Sequence, residues 1–198
     1  MSTDIPPFAA LIIHELEDYD AWKPKFDAHT TARRAAGILG HHLNRGADNP
    51  NLIAAYLPHT DIDGLKSFLS HDDVRAAMRD AGVKGTPDIK LMTVRSVDLD
   101  MSQARAGMIV IHSVDDYDKW RVVYDAFDAK RKELGVTGHA VNTLYGDANQ
   151  VIVYHQAKTV ETLKALLSND ELKERMLEGG VNDTPIVTFW NAELGAMY

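Results

Sequence analysis

Cysteine is absent from all 198 residues, which removes disulfides, thiolate nucleophiles, thiolate-held zinc and iron–sulfur clusters together. Positive charge is sparse. The formal net charge is −8 and no basic run exceeds Lys130-Arg131-Lys132, so neither a nucleic-acid backbone nor an anionic membrane surface is an expected partner. No apolar stretch approaches the roughly 20 residues of a membrane span. The opening MSTDIPPFAALIIHEL carries an acid and two prolines where a signal peptide would carry positive charge, so a soluble, cytoplasmic protein is expected. A glycine-rich phosphate loop, an HExxH helix and a nucleophile elbow are missing too, which sets aside motif-bearing nucleotide enzymes, zincins and α/β-hydrolases.

What is present is a repeat. The string HELEDYDAWK from His14 returns 98 residues later as HSVDDYDKWR from His112. Sliding the chain by that offset aligns 11–92 with 109–190 without a gap, with roughly 25 identities. Asp18/Asp116, Tyr19/Tyr117, Trp22/Trp120, Arg33/Arg131, Gly37/Gly135, Gly82/Gly180 and Pro87/Pro185 are among them. Two domains of one fold follow, 1–96 and 107–198, joined by the polar, aperiodic segment 97–106.

Both copies read in the same order. FAALIIHEL and AGMIVIHSV are short and apolar, hence first strands. Tyr19, Trp22, Phe26, His29, Arg33 and Ala36 recur at three-four spacing, the stripe of one long helix that Asp18 or Asp20 caps and Gly37 ends. Two strands flank the turn ADNPN, or GDAN in the second copy. A broken helical region follows, whose second piece opens at Ser70 or Ser168 in capping-box form and closes at Gly82 or Gly180. Pro87 or Pro185 then leads into the last strand.

The result is β-α-β-β-α-β, twice: an α+β chain of two tandem ferredoxin-like domains, helices on one face of each antiparallel sheet. Leu11 and Ile13 point one way from the first strand, and Ile12, His14 and Leu16 the other, so both sheet faces are apolar. The face away from the helices needs a cover, and the expectation is that the two sheets pack into one intrachain α/β barrel. That makes a monomer with an internal pseudo-dimer, leaving further homodimerisation open.

The pattern His-x-x-x-Asp-Tyr-Asp-x-Trp, the Gly-x-x-Gly-His at the second strand, the acidic-Asn turn, Ser-x-Asp and Met-x-x-x-Gly-Val-x-x-x-Pro resemble small dimeric α/β-barrel proteins. Their superfamily includes antibiotic-biosynthesis monooxygenases and polyketide cyclases. Such proteins pair two single-domain chains sheet to sheet, whereas here both partners lie in one chain. The resemblance implies a cofactor-independent oxygenation, isomerisation or cyclisation of a small aromatic or polyketide-like molecule. The alternative is a barrel that binds a ligand without turning it over, or that is purely structural.

Most duplicated residues have a folding role: the aspartates cap, the tryptophans pack and the glycines turn. The remainder form the candidate site. His14 and His112 lie on otherwise apolar strand faces and are the candidate catalytic bases. His41 and His139, Tyr56 and Tyr154, Arg33 and Arg131, and Asn44 and Asn142 are the candidate substrate-binding groups, with each arginine either snorkelling or pairing with a buried acid or anion. No flavin, haem or metal is expected. The adjacent His41-His42 point to opposite faces of a strand, and no helix carries histidines four apart. Where the first copy has Ala47, Leu57 and Met92, the second has Tyr145, His155 and Trp190, a divergence that predicts one ligand pocket, between the sheets, rather than two.

Overall fold

The structure, a computed structural model, describes residues 5–99, 105–193 and 195–198. Residues 100–104 of the expected linker lie outside them. The chain forms two compact units, Met1–Thr93 with Glu193–Tyr198, and Val94–Ala192. The end of the chain, assigned from the sequence to the second domain, therefore packs in the first.

In the first unit the order is β1 (Phe8–Leu16), α1 (Tyr19–Ala28), α2 (Thr30–Ala35), β2 (Gly40–Gly46), β3 (Leu52–His59), α3 (Ile62–Ser70), α4 (Asp72–Asp80) and β4 (Val83–Asp98), whose last residues belong to the second unit. The sheet runs β2-β3-β1-β4, with β1 antiparallel to both β3 and β4 in the registers Ile12↔Ala55 and Ile12↔Ile89. The second unit repeats it with β5 (Ala106–Ser113), α5 (Tyr117–Ala126), α6 (Asp128–Glu133), β6 (Val136–Leu144), β7 (Asp147–Ala157), α7 (Val160–Leu167), α8 (Asp170–Glu178) and β8 (Ile186–Ala192). Its sheet runs β6-β7-β5-β8. Both are the ferredoxin-like arrangement, α+β as expected. The short strand β9 (Ala196–Met197) adds to β2 through Gly40↔Met197 and His41↔Ala196.

The duplicated Asp-Tyr-Asp-x-Trp string builds the start of α1 and α5. Asp18 accepts from the Ala21 amide at 2.7 Å and Asp116 from Lys119 at 3.0 Å, so each satisfies an otherwise unpaired N–H of the first turn. Asn51, in the β2–β3 turn, and Asn149, near the start of β7, accept from the Tyr19 and Tyr117 amides. They pin the helix start to the sheet. Trp22 and Trp120 are then driven into the core, 3% and 4% exposed.

The helices differ from the expected single stripe. Each breaks once, at His29 or Phe127, where the φ and ψ leave helical values, and the following short helix ends at Gly37 or Gly135 with φ +83° or +95°. That left-handed conformation favours glycine. The later caps also differ. Ser70 and Ser168 finish the preceding helical turn by bonding Ser67 O and Lys164 O, while His71 and Asn169 are the residues that cap α4 and α8. Pro87 sits inside β4 rather than before it, whereas β8 does begin directly after Pro185. Among the described residues no helix is long and apolar enough to cross a membrane.

Candidate functional site

Each unit encloses a cavity between its sheet and its own helices. The first, about 300 Å³, is lined by Ile12 and His14 of β1, Ala55 and Leu57 of β3, Trp22 and Phe26 of α1, Arg33 of α2, and Met78 of α4. The second, about 470 Å³, is lined by Val110 and His112 of β5, Val153 and His155 of β7, Trp120 and Tyr124 of α5, Arg131 of α6, and Met176 of α8. The divergence between the halves thus did not reduce two pockets to one. Both volumes are of the size that small-molecule sites occupy.

Strand alternation decides which candidates reach these cavities. His14 follows Ile12 on the helix-facing side of β1, and His112 follows Val110 on β5. Each imidazole meets its tryptophan, centroids 5.8 Å apart for His14–Trp22 and 5.7 Å for His112–Trp120. The rings are 7% and 4% exposed. Neither nitrogen of either ring has a hydrogen-bond partner among the described residues. Burial lowers the pKa of both to about 4, with Asp183 opposing the shift at His112. Both rings are therefore neutral at pH 7 and face a cavity with their hydrogen-bonding capacity unused, an arrangement that natural cores rarely tolerate without a ligand or water.

Arg33 and Arg131 also reach the cavities. They neither snorkel nor sit as free cations: each is 2–3% exposed and folds flat over a ring of its own helix pair, Arg33 3.8 Å above Phe26 and Arg131 3.7 Å above Tyr124. Cation–π contact offsets part of their desolvation. Each nitrogen of Arg33 makes one bond, to Phe26 O at 2.7 Å, Thr30 Oγ1 at 3.0 Å and Tyr198 Oη at 2.5 Å. Arg131 donates to Tyr124 O at 2.5 Å and Asp128 Oδ1 at 3.1 Å, but its Nε–H finds no partner.

His41 and His139 stand one layer back. His41 meets the edge of Phe26 at 5.0 Å and lies 2.8 Å from Tyr198 Oη; His139 meets the edge of Tyr124 at 5.5 Å and Asp128 at 3.5 Å. They buttress the cavity wall without lining it. Tyr56 and Tyr154 are not brought to the cavities. Their neighbours Ala55 and Leu57, Val153 and His155 point inward, so by alternation the tyrosines face away from the helices, as Tyr154's close approach to Gly107 on β5 also requires. Asn44 and Asn142 occupy that same outer face, and Asn142 donates to Ile152 O at 3.3 Å.

Three participants were not singled out from the sequence as site residues. His155 is 7% exposed, its Nδ1 unpartnered and its Nε2 3.3 Å from Tyr124 Oη, and burial beside Arg131 pushes its pKa to about 3. Tyr124, read only as part of a packing stripe, stacks on Trp120 at 4.7 Å and lines the second cavity. Tyr198 joins the first unit from 165 residues beyond Arg33. His155 carried a signal, since Leu57 is its counterpart; Tyr145 and Trp190, which diverge in the same way, do not line the cavity. Among the described residues no group of three or more His, Asp or Glu is placed to hold a metal ion.

The sequence matches no protein-family model and no curated protein. Solved structures share its fold along the whole chain. An anthrone oxidase-like protein superposes with a TM-score of 0.69 at 10% identity, covering 100% of this chain and 95% of its own. A candidate monooxygenase from Lactobacillus acidophilus NCFM gives 0.66 at 10%, covering 97% and 96%. A ferredoxin-fold protein from Listeria monocytogenes, related to antibiotic biosynthesis monooxygenases, gives 0.57 at 8%, covering 98% and 99%. The chain is similar in fold to monooxygenase-like ferredoxin-fold proteins, at identities that speak to the fold alone.

Proposed function

We propose that this chain is a cofactor-independent monooxygenase acting on a polycyclic, polyketide-like phenol or ketone bound in the second unit's cavity. One observation carries the reading: His112, His155 and Arg131 each bring a buried nitrogen without a partner to the wall of one largely apolar cavity, whose other charged lining residues, Lys173, Arg175 and Asp183, are exposed. A large apolar pocket with a few convergent polar groups is the usual form of a small-molecule site.

The electrostatics narrow the substrate. His112 is a weak base because burial disfavours its imidazolium. It can take a proton only from an unusually acidic C–H, such as a methylene flanked by two aromatic rings and conjugated to a carbonyl. As the proton moves to His112, the electron pair moves toward the carbonyl oxygen, and the Arg131 Nε–H stabilises the enolate. The new imidazolium is then paired with an anion. The enolate carbon gives its electrons to dioxygen and forms a C–O bond, and loss of water from the hydroperoxide leaves a second carbonyl. For anthrone the balance is anthrone plus dioxygen to anthraquinone plus water. Tyr124 and Trp120 provide the aromatic wall against which such a ring system stacks.

An oxygen electrode with anthrone as probe tests this. The expected result is one dioxygen consumed per anthraquinone formed, with His112→Gln slowing turnover roughly a hundredfold, the scale of a lost general base, while the near-ultraviolet circular dichroism is unchanged. Saturable anthrone binding by the folded protein with no oxygen uptake above the spontaneous rate would overturn the enzyme reading and leave a binding protein.

A further inference from the structure

The first unit's cavity differs chemically from the second in ways that no folding role requires. Leu57 replaces the histidine, Phe26 replaces the tyrosine, and each nitrogen of the guanidinium already donates to a neutral partner. Tyr198 is responsible for the last difference. It is carried in by β9, fixed by its own amide to Leu39 O at 2.9 Å, and its hydroxyl meets both Arg33 Nε and His41 Nδ1. The other charged or titratable groups on this cavity's wall are Lys25, bonded to Asp80 O at 2.6 Å, and the exposed His29 and Asp73 near its mouth. Of the buried polar groups that line it, His14 alone is unpartnered.

We infer that this cavity is a second, separate binding site for a small aromatic molecule carrying one hydroxyl or carbonyl group. His14 exchanges one hydrogen bond with the ligand's oxygen, either ring nitrogen serving as donor or acceptor according to tautomer. Phe26, Trp22, Leu57 and Met78 surround the ring. The cavity, smaller than the second, suits one or two fused rings. This site stands whether or not the second unit turns anything over.

Methionine offers a reading confined to each cavity, because Met78 lines the first and its repeat counterpart Met176 the second. In the full chain labelled with ¹³C-methyl methionine, 2-naphthol should shift the Met78 resonance saturably, with an affinity about tenfold above that of naphthalene, the scale of one hydrogen bond to a buried unpaired group. His14→Leu should bring the naphthol-to-naphthalene ratio to about one, and His14→Gln, which keeps a donor and an acceptor, should restore part of it. A Met78 signal indifferent to 2-naphthol would refute the site. Equal binding of naphthol and naphthalene would refute the role of His14. Responses at Met176 report the other cavity and leave these outcomes separable.

Discussion

Replacing either buried, unpartnered histidine with leucine should make the protein more resistant to acid, an inversion of what core substitutions ordinarily do. In the folded chain His14 and His112 have pKa values lowered to about 4, against 6.5 when exposed. The unfolded chain therefore binds the proton first as pH falls, so the stability present above pH 6.5 is lost progressively between there and pH 4. At pH 5 each unfolded ring is almost fully protonated and each folded ring about one-tenth so, which costs about 2 kcal/mol per histidine relative to pH 7.5. Losses of that size are a large part of a domain's usual margin of ~5–15 kcal/mol. Urea unfolding of the parent, His14→Leu and His112→Leu at pH 7.5 and 5.0 measures it directly. Carboxylate protonation is common to all three chains and cancels in the comparison. Each leucine variant should recover about 2 kcal/mol of the acid loss, and at pH 7.5 should be no less stable than the parent, since two desolvated nitrogens are removed. Equal pH dependence in parent and variants would show that the rings are hydrogen-bonded or hydrated, and would remove the basis for treating them as poised toward a ligand.

Trp120→Ala should cost about 3–5 kcal/mol as a core truncation, read as a fall in the urea midpoint with unchanged slope; a loss below 1 kcal/mol would mean that the aromatic row Tyr117–Trp120–Tyr124 can collapse into the space. Gly107→Ala should destabilise the second unit by roughly 1–3 kcal/mol, because the new methyl would stand 2.5 Å from the Tyr154 ring; thermal unfolding with no shift would show that this ring moves freely.

The sequence disclosed what is periodic and local. The stripe Tyr19–Trp22–Phe26 and the caps Asp18 and Asp116 are decided within a few residues, and the structure has them where the spacing puts them. The break at His29 was invisible because the apolar stripe continues through Arg33, and spacing does not register one residue with altered ψ. Alternation correctly put His14 with Ile12 and His112 with Val110, but both faces of β1 are apolar. Nothing in the pattern said which face the helices would take. The side of the sheet holding the cavity, and hence the exclusion of Tyr56, Tyr154, Asn44 and Asn142 from it, was legible only in three dimensions. Arg33 and Tyr198 meet across 165 positions, a pairing that no local pattern encodes.

The first unit is discontinuous in sequence, and this has a consequence for synthesis. Its β2 edge at Gly40 and His41 is paired by β9, and Arg33 is satisfied by Tyr198. Neither can happen until the intervening residues 94–192 have been translated. At ~5–20 residues per second that interval is roughly 5–20 s. Throughout it the nascent first unit presents an open strand edge beside a buried guanidinium with one donor unmet, a surface on which another chain can add a strand. Translation speed through the second half, rather than the stability of the finished fold, then sets how long the nascent chain stays exposed to mispairing.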